Sequence, residues 1–237
     1  MAGPLTLNEA IVLCGGLGTR LRPVVADVPK PMAQVAGRPF LDYVLAYLAA
    51  EGVGRVVLAA GYKAAVIQDR YGDRWRDLEV AYSIEAEPLG TGGGLRQALA
   101  LLKGDAGVVV NGDSLLLAPM APLAGPLAAG ADLVLTASRR ADTAGGGVCE
   151  VREGRLTGFH PGAPGEAGLV NAGVYALRRG FFDGFDLPPA FSFEREVLEA
   201  QTRRLDVRVV VSEADFIDIG LPATYAAAQG LLASPGG

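Results

Sequence analysis

Residues 10–21 read AIVLCGGLGTRL, an uncharged apolar run that leads directly into a glycine-rich turn. A short apolar run is typical of a buried strand, and glycines after it allow backbone N–H groups to approach a ligand closely. Apolar runs and helical patterns alternate through the first half of the chain. We therefore expect an α/β fold: a single Rossmann-like domain with a mostly parallel central sheet, flanking helices and a β-rich insertion.

The patterns predict bounds for these elements. The predicted strands are Ala10–Leu13, Arg55–Ala60, Val80–Ile84, Ala106–Val110, Leu133–Ala137, Val148–Val151, Arg155–Phe159, Leu169–Leu177 and Val207–Val211. The predicted helices are Phe40–Ala50, Ala64–Arg70, Gly92–Leu102, Phe193–Arg203 with Ser192 as N-cap, and Pro222–Leu232. Ser114–Ala131 carries no charge but contains three prolines, which predicts an apolar surface loop and short helix rather than a membrane span. We expect one domain over 1–237, with halves at 1–135 and 136–237.

Composition narrows the functional classes. The chain has 237 residues, half of them hydrophobic, which supports a full core. Its net charge of −5 argues against a nucleic-acid partner, although a small phosphorylated ligand remains compatible. One histidine and two cysteines exclude a histidine-rich metal centre and a zinc finger. The first residues lack the pattern of a signal peptide, so we expect a cytoplasmic protein without membrane insertion.

Two segments predict contacts to phosphate. The turn after the first strand offers Gly15, Gly16, Gly18 and Thr19 for backbone contacts and Arg20 as a forked cationic donor. The turn lacks the third glycine of a dinucleotide fingerprint, and no Gly-Lys-Ser/Thr of a Walker A loop occurs in the chain. In 29–32 (PKPM), two prolines fix the backbone around Lys30, whose ammonium suits a point contact to phosphate, although a solvated surface lysine is the simpler interpretation.

Three acidic side chains predict further contacts. Asp113 and Asp218 each follow an apolar strand, and two carboxylates at neighbouring strand ends can share Mg²⁺. The segment 85–94 (EAEPLGTGGG) contains Gly90 and Thr91 beside a helix start, where a flat ring can lie against backbone. Glu85 is an acceptor-only carboxylate, which matches the two adjacent donors of a guanine edge. Glu87 is the alternative reader of the base, and Glu85 as a cap or solvent-facing residue is the simpler interpretation.

These motifs together resemble those of the sugar-1-phosphate nucleotidyltransferases over nearly the whole chain. The resemblance rests on 15–21 (GGLGTRL), 29–32 (PKPM), 111–113 (NGD) and 218–220 (DIG). Further segments look like the D-glycero-α-D-manno-heptose 1-phosphate guanylyltransferases, namely 61–63 (GYK), 87–93 (EPLGTGG), 191–194 (FSFE) and 216–220 (FIDIG). The resemblance implies Mg²⁺-dependent transfer of GMP from GTP to a sugar 1-phosphate, with pyrophosphate leaving. A mannose 1-phosphate guanylyltransferase and an inactive sugar-nucleotide-sensing subunit are the alternatives, and a homodimer stays open.

The resemblance also implies roles for particular residues. Arg20, Lys30 and Asp113 are expected to be catalytic, and Asp113 with Asp218 is expected to hold Mg²⁺. The nucleotide is expected to contact Gly15, Gly16, Gly18, Thr19, Glu85, Gly90 and Thr91, and the sugar to contact Gly147, His160 and Asn171. His160 stands where relatives usually carry a glutamate that binds sugar hydroxyls, so it either replaces that contact or lies at the surface.

Overall fold

A computed structural model describes residues 5–16, 21, 25 and 28–233. In chain order its strands are β1 (Glu9–Leu13), β2 (Gln34–Val35), β3 (Arg38–Pro39), β4 (Arg55–Ala60), β5 (Arg74–Trp75), β6 (Leu78–Ile84), β7 (Ala106–Asn111), β8 (Ser114–Leu116), β9 (Leu133–Arg140), β10 (Gly147–Arg152), β11 (Arg155–Pro161), β12 (Gly168–Arg178), β13 (Val207–Ser212) and β14 (Phe216–Asp218). The α-helices are α1 (Phe40–Ala50), α2 (Ala64–Tyr71), α3 (Gly90–Leu99), α4 (Ala121–Ala128) and α5 (Pro222–Ala233). A 3₁₀ turn spans Lys30–Met32 and a π-helical segment spans Glu194–Glu199.

Ten of these strands form one sheet in the order β10-β11-β13-β9-β12-β7-β1-β4-β6-β5. Strands β7, β1, β4 and β6 are parallel neighbours, as are β13 and β9. The remaining neighbours are antiparallel, among them the strands of the β10–β11 hairpin and β12, which runs in the opposite direction between β7 and β9. The α/β expectation is confirmed, whereas the expected mostly parallel sheet is corrected to a mixed one.

Several element bounds differ from the sequence prediction in informative ways. The predicted helix Phe193–Arg203 is a π-helical segment that begins at Glu194, and Ser192 Oγ accepts the Arg195 N–H at 3.2 Å, as an N-cap does. The stretch 114–131 forms β8 and α4, and its side chains Leu116, Leu123 and Leu127 are buried. The expected surface loop is therefore wrong, because its apolar side chains contribute to the core.

Helices cover both faces of the sheet. On one face α1, α2, α4 and α5 pack against alternate strand residues such as Val12, Leu58 and Val108. On the other face α3 and the π-helical segment pack against residues such as Ile11 and Val109. Within the described ranges, no helix is long and apolar enough to cross a membrane. The sheet edge between these two layers is the place where the chain's polar motifs collect.

Candidate active site

Four strand ends meet at one edge of the sheet. Strands β1, β4, β6 and β7 are parallel, so Gly15, Gly61, Glu85 and Asp113, which closely follow them, lie along the same edge. Strand β12 runs antiparallel beside β7, so its first residues, including Asn171, reach this edge too. Ligands of α/β proteins bind outside the carboxyl ends of the strands. The edge is therefore the candidate active site.

Lys30 and two carboxylates converge at the centre of this edge. The Nζ of Lys30 donates to Oδ2 of Asp113 at 2.5 Å, with side chains 12% and 34% exposed, respectively. A methyl group built on Gly220 would lie 2.8 Å from Oδ1 of Asp218 and 3.2 Å from the Lys30 Nζ. The ammonium and the second carboxylate thus both lie beside the Cα of Gly220, and the glycine leaves them the space.

A small ribbon joins the two halves of the chain at this point. Strands β8 and β14 pair antiparallel with Ser114 opposite Asp218, and the Ile219 N–H donates to the Asp113 carbonyl at 3.0 Å. The Asp218 Oδ1 accepts the Gly220 N–H at 2.7 Å, which orients that carboxylate. Asp218 therefore ends a strand of this ribbon rather than a strand of the main sheet, which corrects the expected placement while keeping the two acids together.

The backbone around Lys30 is held by close packing. Pro29 and Pro31 flank the lysine, and the 3₁₀ turn fixes where its side chain leaves the chain. A methyl group on Gly112 would lie 2.8 Å from the Leu13 carbonyl oxygen and 3.1 Å from the Pro31 ring. Only glycine allows this approach, so the end of β1, the proline turn and the Asp113 turn are locked together.

Glu85 lies in a cradle of glycines at the β1–β4–β6 side of the edge. Methyl groups on Gly15 and Gly94 would lie 2.6 Å and 2.5 Å from its Oε1. A methyl group on Gly61 would lie 3.5 Å from its Oε2, which accepts the Leu89 N–H at 3.0 Å. The carboxylate is half-buried. Three glycines from three elements therefore approach one carboxylate closely, and its bond from Leu89 at the start of α3 is the contact that the capping interpretation predicts, so base reading by Glu85 stays a prediction.

Gly90 and Thr91 contact the segment that precedes the π-helical turn. Gly90 has φ of +68°, and a methyl group there would lie 2.6 Å from the Phe191 carbonyl oxygen. That oxygen accepts the Gly92 N–H at 2.9 Å, and the Phe193 N–H donates to Thr91 Oγ1 at 2.9 Å. The described contacts of both predicted nucleotide residues thus fix the N-terminus of α3 to residues 191–193.

Asn171 holds a buried hydrogen-bond network on the other side of the edge. Its Nδ2 donates to the Tyr175 hydroxyl at 2.6 Å and to Glu194 Oε1 at 2.9 Å. Its Oδ1 accepts the Gly173 N–H at 3.1 Å, and its exposed fraction is only 8%. Both side-chain amide hydrogens of Asn171 are therefore donated to groups within the protein.

The strand register separates His160 from the other two predicted sugar residues. His160 is opposite Val148, and Val148 is opposite Val170, so these three share one face of the sheet. Asn171 and Gly147 each neighbour one of these valines in sequence and therefore lie on the opposite face. The structure places His160 on the other face of the sheet from Gly147 and Asn171, and the sugar contacts of these three residues stay a prediction.

The predicted phosphate loop is described only in part. Gly18, Thr19 and Arg20 lie outside the described residues, whereas Gly16 is exposed with open space beside its Cα. Among the residues that the structure describes, no three His, Cys, Asp or Glu side chains converge into a metal centre. The candidate metal ligands therefore remain the two carboxylates at the ribbon.

Neither cysteine has the environment of a nucleophile. Burial, followed by the charge of Asp113, raises the pKa of the Cys14 thiol far above its ordinary value. Burial, followed by the charge of Glu194, raises the pKa of Cys149 to about 12. Because the thiolate is the reactive form, both side chains are inert at neutral pH.

Three residues at the edge were not singled out from the sequence. Gly94 and Gly220 make space beside Glu85 and Asp218, and Glu194 bonds to Asn171. Glu194 was visible in 191–194 (FSFE) and Gly220 in 218–220 (DIG), but both were used only as parts of motifs. All three residues are recognised by their closeness in space to predicted site residues, and a single sequence does not show such contacts.

Comparisons with known proteins show the family of the chain. The sequence model of the nucleotidyl transferase family matches residues 9–234. The D-glycero-alpha-D-manno-heptose 1-phosphate guanylyltransferase of Aneurinibacillus thermoaerophilus is 37% identical over 222 residues, covering 93% of this chain and 96% of that protein. The mannose-1-phosphate guanylyltransferase of Mycobacterium tuberculosis is 36% identical over 92% of this chain, which spans 62% of that protein.

A solved structure shares the whole architecture. HddC from Yersinia pseudotuberculosis, crystallised in complex with GMP-PN, superposes with a TM-score of 0.83 at 30% identity. The match covers 95% of this chain and 100% of that one. Since the family match and the 37% identical relative both extend over nearly the entire chain, the protein belongs to the nucleotidyl transferase family.

Proposed function

We propose that the protein transfers GMP from GTP to a sugar 1-phosphate, with D-glycero-α-D-manno-heptose 1-phosphate as the preferred acceptor. The observation that carries the proposal is the convergence of Lys30, Asp113 and Asp218 at Gly220, beside the glycine cradle of Glu85. The choice of this sugar as the acceptor follows the name of the 37% identical heptose 1-phosphate guanylyltransferase. The proposed nucleotide-binding half is 1–135 and the proposed sugar-binding half is 136–237.

The chemistry requires two anions to meet without a general base. The attacking group is a phosphate monoester with a second pKa near 6, which is mostly deprotonated at neutral pH. Lys30 is fixed beside the acids, where its ammonium can contact phosphate oxygens and reduce the repulsion between the substrates. Arg20, with the backbone of Gly15, Gly16, Gly18 and Thr19, is proposed to bind the triphosphate. The oxygen attacks the α-phosphorus, and pyrophosphate leaves from the opposite side.

The two acids suit a divalent cation. Asp113, in the turn before β8, and Asp218, at the end of β14, present hard oxygen donors beside the ribbon, and Mg²⁺ prefers such ligands while retaining positions for phosphate. We propose that these residues hold Mg²⁺, which when bound neutralises charge on the reacting phosphates. The Gly220 N–H donates to Oδ1 of Asp218 and so orients this carboxylate.

Glu85 is proposed to select guanine. An ionised carboxylate accepts from both donors of the guanine edge, whereas thymine and uracil offer one donor between two carbonyls. The glycines at 15, 61 and 94 leave no side chain between this carboxylate and a planar base. Gly90 and Thr91 are proposed to contribute to nucleotide binding by fixing the position of the N-terminus of α3.

Two other functions remain as alternatives. The mannose-1-phosphate guanylyltransferase that is 36% identical supports mannose 1-phosphate as the acceptor. A catalytically inactive sensing subunit is disfavoured because Lys30, Asp113 and Asp218 are retained and brought together, which binding alone does not require.

A substrate grid tests the proposal. Four nucleoside triphosphates are combined with heptose, mannose and glucose 1-phosphates in Mg²⁺, and pyrophosphate release is measured. We expect turnover with GTP and the heptose phosphate to exceed all other pairs. Highest turnover with mannose 1-phosphate would favour the alternative acceptor, and no turnover with any pair would contradict the proposed activity.

A further inference from the structure

A short segment of the C-terminal half, residues 187–191 (LPPAF), lies against the first turns of α3 and belongs to no strand or helix. Proline has no backbone N–H, so its two prolines leave the segment rich in carbonyl acceptors and unable to join a strand ladder. Such a segment holds one position only if donors from elsewhere in the protein bind it. We therefore looked for the side chain that supplies those donors.

Arg96 of α3 supplies them. Its Nη1 donates to the Leu187 carbonyl at 3.2 Å, and its Nη2 donates to the carbonyls of Pro188 and Pro189 at 2.9 Å and 3.2 Å. The guanidinium carbon also lies 5.1 Å from the centroid of the Phe191 ring, within the range of a cation–π contact. A guanidinium carries five N–H donors in one plane and no acceptor, so it matches a row of carbonyls.

The helix face that carries Arg96 is shaped for the same segment. Gly92 and Gly93 precede Arg96 by four and three residues and therefore lie on its face of the helix. A methyl group on Gly92 would overlap the Phe191 ring, and one on Gly93 would overlap the Pro189 carbonyl oxygen. The segment thus rests directly on the backbone of α3, and Arg96 holds it there.

Backbone bonds connect this segment to the proposed nucleotide residues. The Phe191 N–H donates to the Leu89 carbonyl at 2.9 Å, and the Leu89 N–H donates to Glu85 Oε2 at 3.0 Å. Two residues further on, the Phe193 N–H donates to Thr91 Oγ1 at 2.9 Å. A shift of the segment would therefore move the start of α3 and the hydrogen bond that orients the Glu85 carboxylate.

Arg96 itself lies away from the active edge. Helix α3 begins at that edge, after β6, and runs back along the sheet towards the start of β7. Arg96 is six residues after Gly90, which places it about 9 Å along the helix axis from the start of α3. Any influence of Arg96 on the nucleotide therefore passes through the segment that it holds.

We infer that Arg96 is a positioning residue of the nucleotide site, which acts by holding residues 187–191 against the start of α3. This inference rests on the proposed function. It makes the nucleotide side depend on a piece of the C-terminal half, because the segment from that half fixes Leu89 and, through it, Glu85.

Steady-state kinetics of Arg96→Lys tests the inference. The variant keeps the positive charge but loses the planar fork that binds three carbonyls. We expect KM for GTP to rise about 10-fold, while kcat and KM for the sugar 1-phosphate stay at wild-type values, because the change weakens nucleotide binding alone. A purely structural role would reduce the amount of folded enzyme, which lowers the apparent kcat and leaves KM for GTP unchanged.

Two further variants make the result specific. Arg178→Lys is the matched control, because Arg178 also donates to a backbone carbonyl, that of Leu127 at 3.0 Å, but lies at the end of β12 on the amino edge. It should keep the wild-type KM for GTP. Phe191→Leu removes the ring beneath Arg96 and should raise this KM, and the double variant with Arg96→Lys should raise it by less than the product of the single effects.

The outcomes separate this inference from the proposed function. If wild type releases pyrophosphate but Arg96→Lys keeps a wild-type KM for GTP, the inference is overturned and the proposed function stands. An equal rise in Arg178→Lys, or fully multiplicative effects in the double variant, overturns it as well.

If wild type is inactive with every substrate pair, the proposed function fails, and amide hydrogen exchange then decides the role of Arg96. The N–H groups of Gly92 and Phe193 bond to the Phe191 carbonyl and to Thr91 Oγ1. Both should exchange faster in Arg96→Lys than in wild type. Unchanged exchange at these two amides would show that Arg96 does not hold the segment.

Discussion

The two edges of the central sheet use similar charged pairs for different purposes. At the amino edge, Glu9 is 5% exposed, and its Oε1 accepts from Arg55 at 2.7 Å while its Oε2 accepts the Gly104 N–H at 2.6 Å. Arg55 also donates to Glu79 at 3.0 Å, so the charged groups of this cluster bind one another. At the carboxyl edge, Asp113 pairs with Lys30 but stays 34% exposed.

The difference between the edges is one of access. Backbone donors and a second carboxylate close the amino edge, so its charges stabilise the fold and offer nothing to a ligand. At the carboxyl edge, glycines at 15, 61, 94 and 220 replace side chains that would cover the charges. We therefore predict a structural role for the charged residues at the amino edge and a functional role for those at the carboxyl edge, and three substitutions test this contrast.

The largest effect is expected at the carboxyl edge. Asp113→Asn removes the charge that pairs with Lys30 and that is proposed to hold Mg²⁺, so kcat should fall by at least about 10³-fold. The fold should survive, because the Ile219 N–H bonds to the backbone carbonyl of residue 113. Pyrophosphate release measures the loss of kcat, and thermal unfolding shows whether the fold is intact.

Asp105→Asn is the matched control for this variant. Asp105 precedes the same strand, β7, at the amino edge, and it too accepts a backbone bond through its carbonyl, from Arg179 at 2.8 Å. The Asp105→Asn variant should retain the activity of wild type. Equal loss in both variants would show that Asp113 acts through general charge and not through its place at the carboxyl edge.

A smaller effect is expected for the base. Glu85→Gln presents one donor where guanine needs an acceptor, so the preference for GTP over ATP should fall about 10- to 100-fold. The new side chain can still accept the Leu89 N–H through its amide oxygen, which preserves the local structure. The measurement is kcat/KM for both nucleotides. If Glu87→Gln changes this ratio and Glu85→Gln does not, Glu87 is the base reader.

The smallest effect is expected at the amino edge and concerns stability. Burial alone would raise the pKa of Glu9, but bonds from the Gly104 N–H and Arg55 outweigh it and hold the pKa below the ordinary 4.5. A lowered folded-state pKa stabilises the protein above pH 4.5, and this contribution is lost as the pH falls through the folded-state pKa. Glu9→Gln should therefore cost about 2 kcal/mol at neutral pH.

Denaturant unfolding at several pH values checks this prediction. The difference between wild type and Glu9→Gln should narrow as the pH drops below 4.5. Glu213→Gln is the control, because its ion pair with Arg139 at 3.3 Å is exposed and should contribute no measurable stability. If the difference in unfolding free energy between wild type and Glu9→Gln stays constant across the pH range, the stabilisation by Glu9 does not depend on its charge.

Local patterns predicted much of this fold. The bounds of α1 and β4 agree with the apolar spacing in the sequence, because these elements bury their own local pattern. The direction of β12 could not be predicted, since it depends on which strands it pairs with far along the chain. The sheet was therefore expected to be more parallel than it is.

The candidate site was predictable where motifs have a fixed local chemistry. Lys30 between two prolines and Asp113 after β7 were identified from sequence, and the structure places their side chains 2.5 Å apart. The face on which His160 lies follows from strand register, where a shift of one residue reverses every side chain. The bond between Asn171 and Glu194 joins separate elements and leaves no trace in either local pattern.

The β8–β14 ribbon has a consequence for how activity arises during synthesis. Its three residue pairs bring Asp218 beside the Asp113 turn, which is far away in the chain, so a long loop must close before the two carboxylates meet. A nascent polypeptide that has emerged only through residue 200 already contains Lys30 and Asp113 but not Asp218. If Asp218 has its proposed role in metal binding, ribosome-bound intermediates of that length lack one of the two acids and should not yet transfer GMP.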